Sequence, residues 1–274
     1  MQRQPHIMTL AQWAGPARWK AELPHSHDTH SILWITRGQG RCLLDGIRRG
    51  VGVHNAVIIP AGTLFSTDLA RLGFGLVCAI PPSEAVPMPD SAQLLRLRDV
   101  HAQSELTTIL ETMQREDKAQ RPFSDEAMRA HAVLLGVWLR RSMIEQDPDP
   151  VRPPAAERLV RAYAALIERD HATGKPMADF ARALGVTPTH LTRTCRQCAG
   201  MSASQLLTQR ILHAARSLLE HSDHPFNRIA AMLGFRSAAY FSRFMLHHTG
   251  QTPTQLRRES HGAPMPQAGE RGFG

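Results

Sequence analysis

The sequence has few cysteines, few aromatic residues and no long apolar run. Four cysteines scattered through 274 residues are too few for the disulfide framework of a small secreted protein. No apolar run reaches the ~20 residues that a membrane-spanning helix requires, and the opening stretch MQRQPHIMTL lacks the apolar core of a signal peptide. These absences predict a cytoplasmic protein with no membrane partner.

Basic charge is concentrated in the C-terminal part of the chain. Residues 155–274 contain 15 Lys and Arg against 8 Asp and Glu, a net charge of +7, whereas residues 1–154 contain 17 against 16, a net charge of +1. A basic excess favours binding to a polyanion, because binding releases the polyanion's condensed counterions. Nucleic acid is therefore the partner expected for residues 155–274.

The stretch Asn227–Leu256 has the pattern of two helices joined by a tight turn. An apolar face, a terminating glycine and a hydroxyl N-cap follow one another at Ile229, Ala230, Leu233, Gly234 and Ser237. Phe241 and Phe244 then face inward, and Thr252-Pro253 repeats the start signal of a helix. The stretch predicts a helix-turn-helix followed by a third short helix.

A second copy of the same pattern lies upstream. Phe180–Val186 matches Ile229–Phe235 at an offset of 49 residues, and Leu191-Thr192-Arg193 matches Phe241-Ser242-Arg243 at an offset of 50. Two copies of one motif in one chain are hard to obtain by chance. The sequence therefore predicts two helix-turn-helix units.

Helical spacing and caps predict seven helices in the C-terminal part. These are Glu157–His171, Met177–Leu184, Pro188–Ala199, Ser204–Glu220, Phe226–Leu233, Ala238–Thr249 and Pro253–Glu259. The long helix Ser204–Glu220 joins the two units. Four prolines between Asp147 and Pro154 predict a stiff connector, and the Gly- and Pro-rich residues 261–274 predict a disordered tail. The predicted organisation is therefore residues 1–146, a linker at 147–154, a DNA-binding domain at 155–260 and a tail at 261–274.

Short apolar runs separated by turn residues predict a small antiparallel β-sandwich or barrel before residue 81. The runs are Ile32–Thr36, Cys42–Leu44, Val57–Ile59 and Phe74–Ile80. Asp45-Gly46 between two runs is typical of a two-residue hairpin turn. The prolines of Pro81-Pro82 and Pro87-Met88-Pro89 are expected to end the sheet, and two amphipathic helices are expected next.

Those two helices are predicted from apolar residues at three- and four-residue steps. The first runs from Leu94 through Leu97 and Val100 to Met113, and the second from Met128 to Met143. Packing on the sheet and contact with a second copy of the chain both remain open for their apolar faces. The second alternative predicts a homodimer.

Motifs in the first 65 residues resemble the two half-motifs of a cupin barrel: His25-Ser26-His27, Gly38-Gln39-Gly40 and Pro60-Ala61-Gly62. The resemblance implies a metal held by three His and a carboxylate. Phe65 stands where the last His belongs, so neither a catalytic metal site nor another cofactor is expected, and the protein is not expected to be an enzyme. Contact with a small-molecule effector stays open for His25, His27, His30, Trp34 and Phe65, as does a polar barrel mouth without a ligand.

Residues 157–258 resemble the DNA-binding domain of the AraC/XylS transcription regulators. The most specific motif is Ile229-Ala230-x-x-x-Gly234-Phe235-x-Ser237-x-x-Tyr240-Phe241-Ser242-Arg243, followed by Thr249-Gly250-x-Thr252-Pro253. The family combines this domain with an N-terminal cupin-like barrel. The resemblance implies an effector-controlled regulator that binds double-stranded promoter DNA, with RNA polymerase as a further partner.

Residues on the outward faces of the two recognition helices are the candidates for base contact. They are Thr189, Thr192, Arg193 and Arg196 in the first unit and Ala238, Ala239, Ser242 and Arg243 in the second. Arginine can bond guanine at two positions, whereas alanine offers only contact with a thymine methyl group. The first unit is therefore expected to read more sequence and the second to anchor the DNA backbone.

Cys195-x-x-Cys198 has the spacing of a redox or metal motif. Cys195 aligns with the inward-facing Met245 of the second unit. This alignment favours a packed core thiol, while a redox sensor remains the alternative. Two further function classes also remain open, a cupin enzyme with a DNA-binding tail and a constitutive DNA-binding protein whose barrel only dimerises.

Overall fold

The computed structural model describes residues 4–69, 73–83, 86–119, 121–146 and 152–260. Its first part is built mainly from strands. The strands are β1 (His6–Thr9), β2 (His30–Arg37), β3 (Gly40–Leu44), β4 (Ile47–Val51), β5 (Asn55–Ile59), β6 (Phe65–Leu69), β7 (Phe74–Ile80) and β8 (Gln93–Arg96). Two short helices, α1 (Leu10–Ala14) and α2 (Trp19–Glu22), lie between β1 and β2.

These strands form two antiparallel sheets. One has the order β1-β7-β2-β5-β8 and the other the order β4-β3-β6. The Asp45-Gly46 hairpin between β3 and β4 is confirmed, with Leu44 opposite Ile47 and φ angles of 50° and 76° at the two turn residues. The antiparallel fold class is therefore confirmed, while closure of the two sheets into a barrel stays a prediction.

The five-stranded sheet is buried on both faces. Leu33, Val57 and Val77 point towards the three-stranded sheet, whereas Ile32 and Ile58 point to the other side. That other side is covered by helices α3 (Val100–Ala119) and α4 (Ser124–Gln146). Burial on both faces explains why the central strands are continuous apolar runs in the sequence, with no alternation of apolar and polar residues.

The expectation that the sheet ends before a helix containing Leu94 is wrong. Gln93–Arg96 forms strand β8, which pairs with β5 beyond the prolines, and the helix begins only at Val100. Leu94 and Leu95 turn to opposite faces of the sheet and join different apolar clusters. Both faces of this edge strand are covered, so apolar residues occupy positions that point to either face. Their spacing along the sequence therefore resembles the spacing of apolar residues in a helix.

The C-terminal part contains seven α-helices within the described residues. They are α5 (Ala155–Asp170), α6 (Met177–Ala183), α7 (Pro188–Ala199), α8 (Ala203–His221), α9 (Phe226–Met232), α10 (Ala238–Thr249) and α11 (Pro253–Ser260). The predicted helices are confirmed, and their ends shift by at most two residues. No helix in the described ranges is long and apolar enough to span a bilayer.

The strand-rich part and the helical part share one apolar cluster. Leu43, Ile47 and Leu64 on the outer side of the three-stranded sheet pack with Val160 and Tyr163 of α5. The sequence predicted two domains separated by a linker, and this shared cluster shows that residues of the two parts pack together. Residues 147–151 of the predicted linker and the predicted tail at 261–274 lie outside the described residues, so the domain boundaries stay predictions.

A nearly buried ion pair between α5 and α8 lies at this interface and is bound by a loop residue of the strand-rich part. The Arg210 guanidinium of α8 donates to the Glu168 carboxylate of α5 at 2.7 and 3.1 Å, and Ser26 Oγ donates to the same carboxylate at 2.7 Å. The side chains of Arg210 and Glu168 are only 11% and 12% exposed. Charges this far from water need their partners, because an unpaired buried charge is strongly destabilising.

The Glu168→Ala substitution should lower the free energy of unfolding by about 3 kcal/mol, because it leaves the Arg210 charge unpaired. Asp179→Ala is the matched control, since it breaks the Arg182–Asp179 pair, whose arginine side chain is 79% exposed. The control should cost less than about 1 kcal/mol. Urea unfolding of the full chain measures both, and equal costs would contradict the role given to Glu168.

Candidate nucleic-acid interface

The two helix-turn-helix units repeat each other down to single hydrogen bonds. In the first turn the Val186 N–H donates to the Ala181 carbonyl at 3.0 Å, and in the second the Phe235 N–H donates to the Ala230 carbonyl at 2.9 Å. The recognition helices α7 and α10 are capped alike by Thr187 Oγ1 and Ser237 Oγ, each of which accepts from a backbone N–H at 3.2 Å. Both helices end at a left-handed glycine. The predicted repeat is confirmed.

The second turn is one residue longer than the first. Val186 corresponds to Phe235 at an offset of 49, whereas the caps Thr187 and Ser237 lie 50 residues apart. Arg236 is the inserted residue, and it is exposed immediately before the cap of α10. The insertion therefore places a cation at the entry to the second recognition helix and none at the first.

Helix α8 sets the distance between the two units. Its 19 residues span about 28 Å at ~1.5 Å per residue. A capping box starts the helix, with Ser202 Oγ accepting from the Gln205 N–H and the Gln205 side chain accepting from the Ser202 N–H. Successive major grooves on one face of DNA lie ~34 Å apart. A single helix of this length can hold two recognition helices over neighbouring grooves.

A direct backbone contact between two glycines further fixes the units. Gly234 in the second turn and Gly174 in the loop before α6 both have left-handed φ angles, of 73° and 72°. A Cβ atom on either residue would overlap the backbone of the other. The equivalent turn glycine of the first unit, Gly185, has φ 68° but open space around its Cα. Of the two turn glycines, Gly234 therefore combines a left-handed backbone conformation with a close backbone contact, whereas Gly185 has only the first.

The structure places the four candidates of the first unit along α7. Thr189, Arg193 and Arg196 are exposed and Thr192 is half-buried. Arg193 Nη2 lies 3.3 Å from His190 Nδ1. The arginine is thus supported on its own helix while its guanidinium remains accessible.

The candidates of the second unit lie at the start of α10. Ala239 and Arg243 are exposed, whereas Ala238 and Ser242 are half-buried. The Arg243 guanidinium lies 5.9 Å from the centre of the Tyr240 ring. Arg243 stays exposed beside this ring, so its guanidinium remains accessible to a phosphate.

Sequence reasoning missed three side chains at these surfaces. Arg236 and His190 are exposed at the two helix starts, and Tyr240 is 56% exposed although it carries a large aromatic ring. The change of offset from 49 to 50 residues was the signal that could have identified Arg236. Tyr240 stood in the family motif, but the motif alone does not show that its ring points outward.

The candidate effector residues do not form one group. His25, His27 and Phe65 lie together, with ring centres 4.2 Å apart for His25–Phe65 and 5.1 Å for His27–Phe65. Trp34 lies on the opposite face of the five-stranded sheet, where its Nε1 donates to Thr107 Oγ1 at 3.1 Å. His30 accepts a hydrogen bond from the Ala61 N–H at 3.3 Å through its Nδ1.

The histidine group contacts the helix that joins the two DNA-binding units. The ring of His25 stacks on His213 of α8, with centres 4.3 Å apart and planes 5° apart. Trp19 packs beside the same histidine, with ring centres 5.3 Å apart, and Lys20 forms an ion pair with Glu220. Residues expected to line an effector site therefore lie at the interface between the two parts of the chain.

Burial keeps both stacked histidines neutral. Desolvation is the main cause that lowers the pKa of His25 to about 3, and the charges of His27 and Arg210 add to it, while a hydrogen bond with the Leu23 carbonyl opposes it. Desolvation likewise lowers the pKa of His213 to about 2, with further contributions from His25, Arg210 and His27 against a backbone hydrogen bond with Lys20.

No group of three or more potential metal ligands occurs in the described ranges.

Cys195 is a packed core thiol, as its alignment with Met245 predicts. Both side chains are fully buried. Burial raises the pKa of Cys195 to about 12 and also raises the pKa of the half-buried Cys198. The thiolate is the reactive form of cysteine, so this environment disfavours thiol chemistry.

The geometry defines a protein with an antiparallel β domain and a paired helix-turn-helix. Residues 180–259 match a protein family described as a helix-turn-helix domain. The chain is 33% identical over 129 residues to the HTH-type transcriptional regulator GlxA of Rhizobium meliloti, an alignment that covers 45% of this chain and 40% of GlxA. It is 29% identical over 255 residues to the HTH-type transcriptional activator RhaR of Escherichia coli O9:H4, covering 85% of this chain and 86% of RhaR.

Solved structures with a similar fold include ToxT from Vibrio cholerae with a bound unsaturated fatty acid. The TM-score is 0.44 at 14% identity, and the match covers 97% of this chain and all of ToxT. The chain covers only 40% of GlxA and 54% of RhaR from Salmonella schwarzengrund, which is about half the length of these relatives. The repeated motif therefore lies in a helix-turn-helix domain, and the chain is similar to these HTH-type transcription regulators.

Substitution of the two turn glycines should have unequal costs. Gly185→Ala should destabilise the chain by about 1–2 kcal/mol, the strain of a left-handed alanine. Gly234→Ala carries the same strain and also forces the Gly174 backbone away, so its cost should be at least about twice as large. Urea unfolding of the two variants measures the difference, and equal costs would mean that the glycine contact does not fix the two units.

Stability should fall as the pH drops from about 7.5 to about 5.5. A histidine with an ordinary pKa of ~6.5 takes up a proton in the unfolded chain, whereas His25 and His213 stay neutral in the folded chain until the pH approaches 3. Each histidine therefore contributes stability above pH ~6.5 that is lost progressively below it. At pH 5.5 the loss is about 1.4 kcal/mol for each residue.

The His213→Phe variant should flatten this pH dependence, because phenylalanine keeps an aromatic ring in the stack and does not titrate. His101→Phe, on the exposed surface of α3, is the control and should leave the dependence unchanged. Calorimetric melting temperatures at the two pH values provide the measurement. A His213→Phe chain with the same pH dependence as the unmodified chain would contradict the assignment.

Proposed function

We propose that the protein is a sequence-specific transcription regulator that binds double-stranded promoter DNA through its two helix-turn-helix units. The observation that carries the proposal is the structural repeat, in which two recognition helices with the same caps and turn hydrogen bonds are joined by one helix of ~28 Å. The net charge of +7 on residues 155–274 favours DNA as the partner. The proposed place of action is the cytoplasm, and no catalytic activity is proposed.

The first unit reads bases and the second mainly holds the DNA backbone. Arg193 and Arg196 present two guanidinium groups on α7, and each can bond guanine through two donors. The start of α10 presents Ala238 and Ala239, which lack hydrogen-bonding side chains. Arg236 and Arg243 on either side of them supply charge for phosphate contacts.

The N-terminal part is proposed to bind a small effector and to alter how the two units engage DNA. The contacts of His25, Trp19 and Lys20 with α8 support this role, because a change in that segment acts directly on the helix that joins both units. RNA polymerase is a further proposed partner. The effector itself is a small molecule.

A homodimer is proposed through the outer surface of α4. Leu134 and Ile144 on this helix are 57% and 67% exposed. Exposed large apolar side chains on one helix favour a protein partner over water. Light scattering decides the point, and a monomeric mass at micromolar concentration would contradict the dimer.

Arg193→Ala should reduce discrimination between bound and randomised DNA sites by about 5- to 150-fold, equivalent to the ~1–3 kcal/mol of one bidentate contact with guanine. Arg243→Ala should weaken binding to both DNAs nearly equally and reduce the salt dependence of binding by about one phosphate contact. Arg182→Ala is the control, because Arg182 is exposed on α6 and paired with Asp179.

The bound sequences are first selected from a random DNA pool with the full chain. Fluorescence anisotropy at several salt concentrations then measures each variant on the selected and randomised sites. A chain that selects no sequence would contradict the proposed function. Stronger loss of discrimination with Arg243→Ala than with Arg193→Ala would reverse the roles of the two units.

A further inference from the structure

A charged cleft of about 760 Å³ lies where the strand-rich part meets the first helix of the DNA-binding part. Its walls come from strands β4 and β8, the last turns of α4, the start of α3 and helix α5. Clefts of ~300–1,000 Å³ are the size that holds small ligands. This cleft is separate from the histidine group, because none of His25, His27 or Phe65 lines it.

Positive charge exceeds negative charge on the walls of this cleft. Four arginines and two acidic residues line it, namely Arg49, Arg96, Arg98, Arg161, Asp99 and Glu145. The Asp99 carboxylate is already engaged, since it accepts a hydrogen bond from the Ala102 N–H at 2.8 Å. Arg96 and Arg98 are exposed and form no ion pair with any described residue. Two guanidinium groups are therefore available to an anion.

The other two arginines hold the two parts of the chain together. Arg49 on β4 donates twice to the Glu157 carboxylate of α5, at 2.9 and 3.1 Å. Arg161 on α5 donates to Asp45 in the β3–β4 turn at 3.2 Å. Arg161 Nε is buried and has no hydrogen-bond partner among the described residues. The Arg161 guanidinium therefore has one buried donor that its protein partners leave unsatisfied, and such a donor is unfavourable until a partner fills it.

We propose that this cleft binds a small polyanion that carries at least two carboxylate or phosphate groups. Arg96 and Arg98 hold one anionic group, and Arg49 and Arg161 hold another across the cleft. Arginine suits this task because its planar fork donates two parallel hydrogen bonds to a carboxylate or a phosphate. This proposal rests on the proposed function, because it identifies the polyanion with the small effector that controls the transcription regulator.

Binding of the polyanion loosens the contact between the two parts of the chain. Its anionic group competes with Glu157 for Arg49 and with Asp45 for Arg161. These carboxylates and guanidinium groups are between 21% and 40% exposed, so water replaces a displaced partner at moderate cost. Helix α5 is then held to the strand-rich part by its apolar contacts with Leu43, Ile47 and Leu64 and by the hydrogen bond from Ser26 to Glu168.

Isothermal titration of the full chain with citrate and with inorganic pyrophosphate tests the site without DNA. At least one of the two probes should bind saturably, and the comparison distinguishes carboxylate from phosphate chemistry. Arg96→Gln with Arg98→Gln should weaken binding by at least about tenfold, or 1.4 kcal/mol. Arg115→Gln is the matched control, since Arg115 is an exposed arginine of α3 outside the cleft, and it should leave the affinity unchanged.

If the proposal is correct, the Glu157→Gln variant should bind the probe more tightly, whereas the Arg96/Arg98 variant binds it more weakly. Removal of the competing carboxylate should raise the affinity for the probe several-fold, whereas a binding site elsewhere would not respond. Absence of saturable binding by both probes, equal weakening in the Arg115→Gln control, or unchanged affinity in the Arg96/Arg98 variant would each overturn the proposal. DNA binding is measured separately by anisotropy, so loss of the cleft and loss of DNA binding are distinguished.

Discussion

The ion pair between Glu168 and Arg210 is the contact on which the arrangement of the molecule depends. It joins α5 to α8 and, through Ser26, both helices to the strand-rich part. Its two side chains are almost fully withdrawn from water, so neither can exchange its partner for solvent without a large loss of free energy. The position of α8 relative to the sheets is set at this point, and with it the positions of both recognition helices.

Control of the two units through α8 differs from control through a linker. A proline-rich connector transmits only a limit on distance, whereas α8 is contacted directly by His25, Trp19 and Lys20 from the strand-rich part. The glycine contact between Gly174 and Gly234 ties the second unit to the loop before the first. A shift of α8 therefore moves both recognition helices together.

The sequence predicted the helical part well and the strand-rich part incompletely, for a physical reason. Caps such as Thr187 and Ser237 act within one turn of helix, so a local pattern locates helix ends to within two residues. Strand β8 owes its existence to pairing with β5, a contact that no local pattern contains. The repeat located the candidate readers on α7 and α10, but the separation of Trp34 from His25 depends on which face of a doubly covered sheet each residue occupies. Likewise, nothing near Glu168 in the sequence identifies Arg210 as its partner.

The ion pairs that lie at the interface of the two parts fall into two classes by their access to water. Glu168 and Arg210 are 11–12% exposed, whereas Arg49, Glu157, Asp45 and Arg161 are 21–40% exposed. A pair near water can exchange one anion for another, because the displaced carboxylate becomes hydrated and the guanidinium keeps a partner. In a buried pair, water does not reach a displaced carboxylate and no second anion reaches the guanidinium. The interface therefore combines a fixed contact beside α8 with an exchangeable contact at the cleft, and such a combination allows a ligand to change the docking of α5 without unfolding the protein.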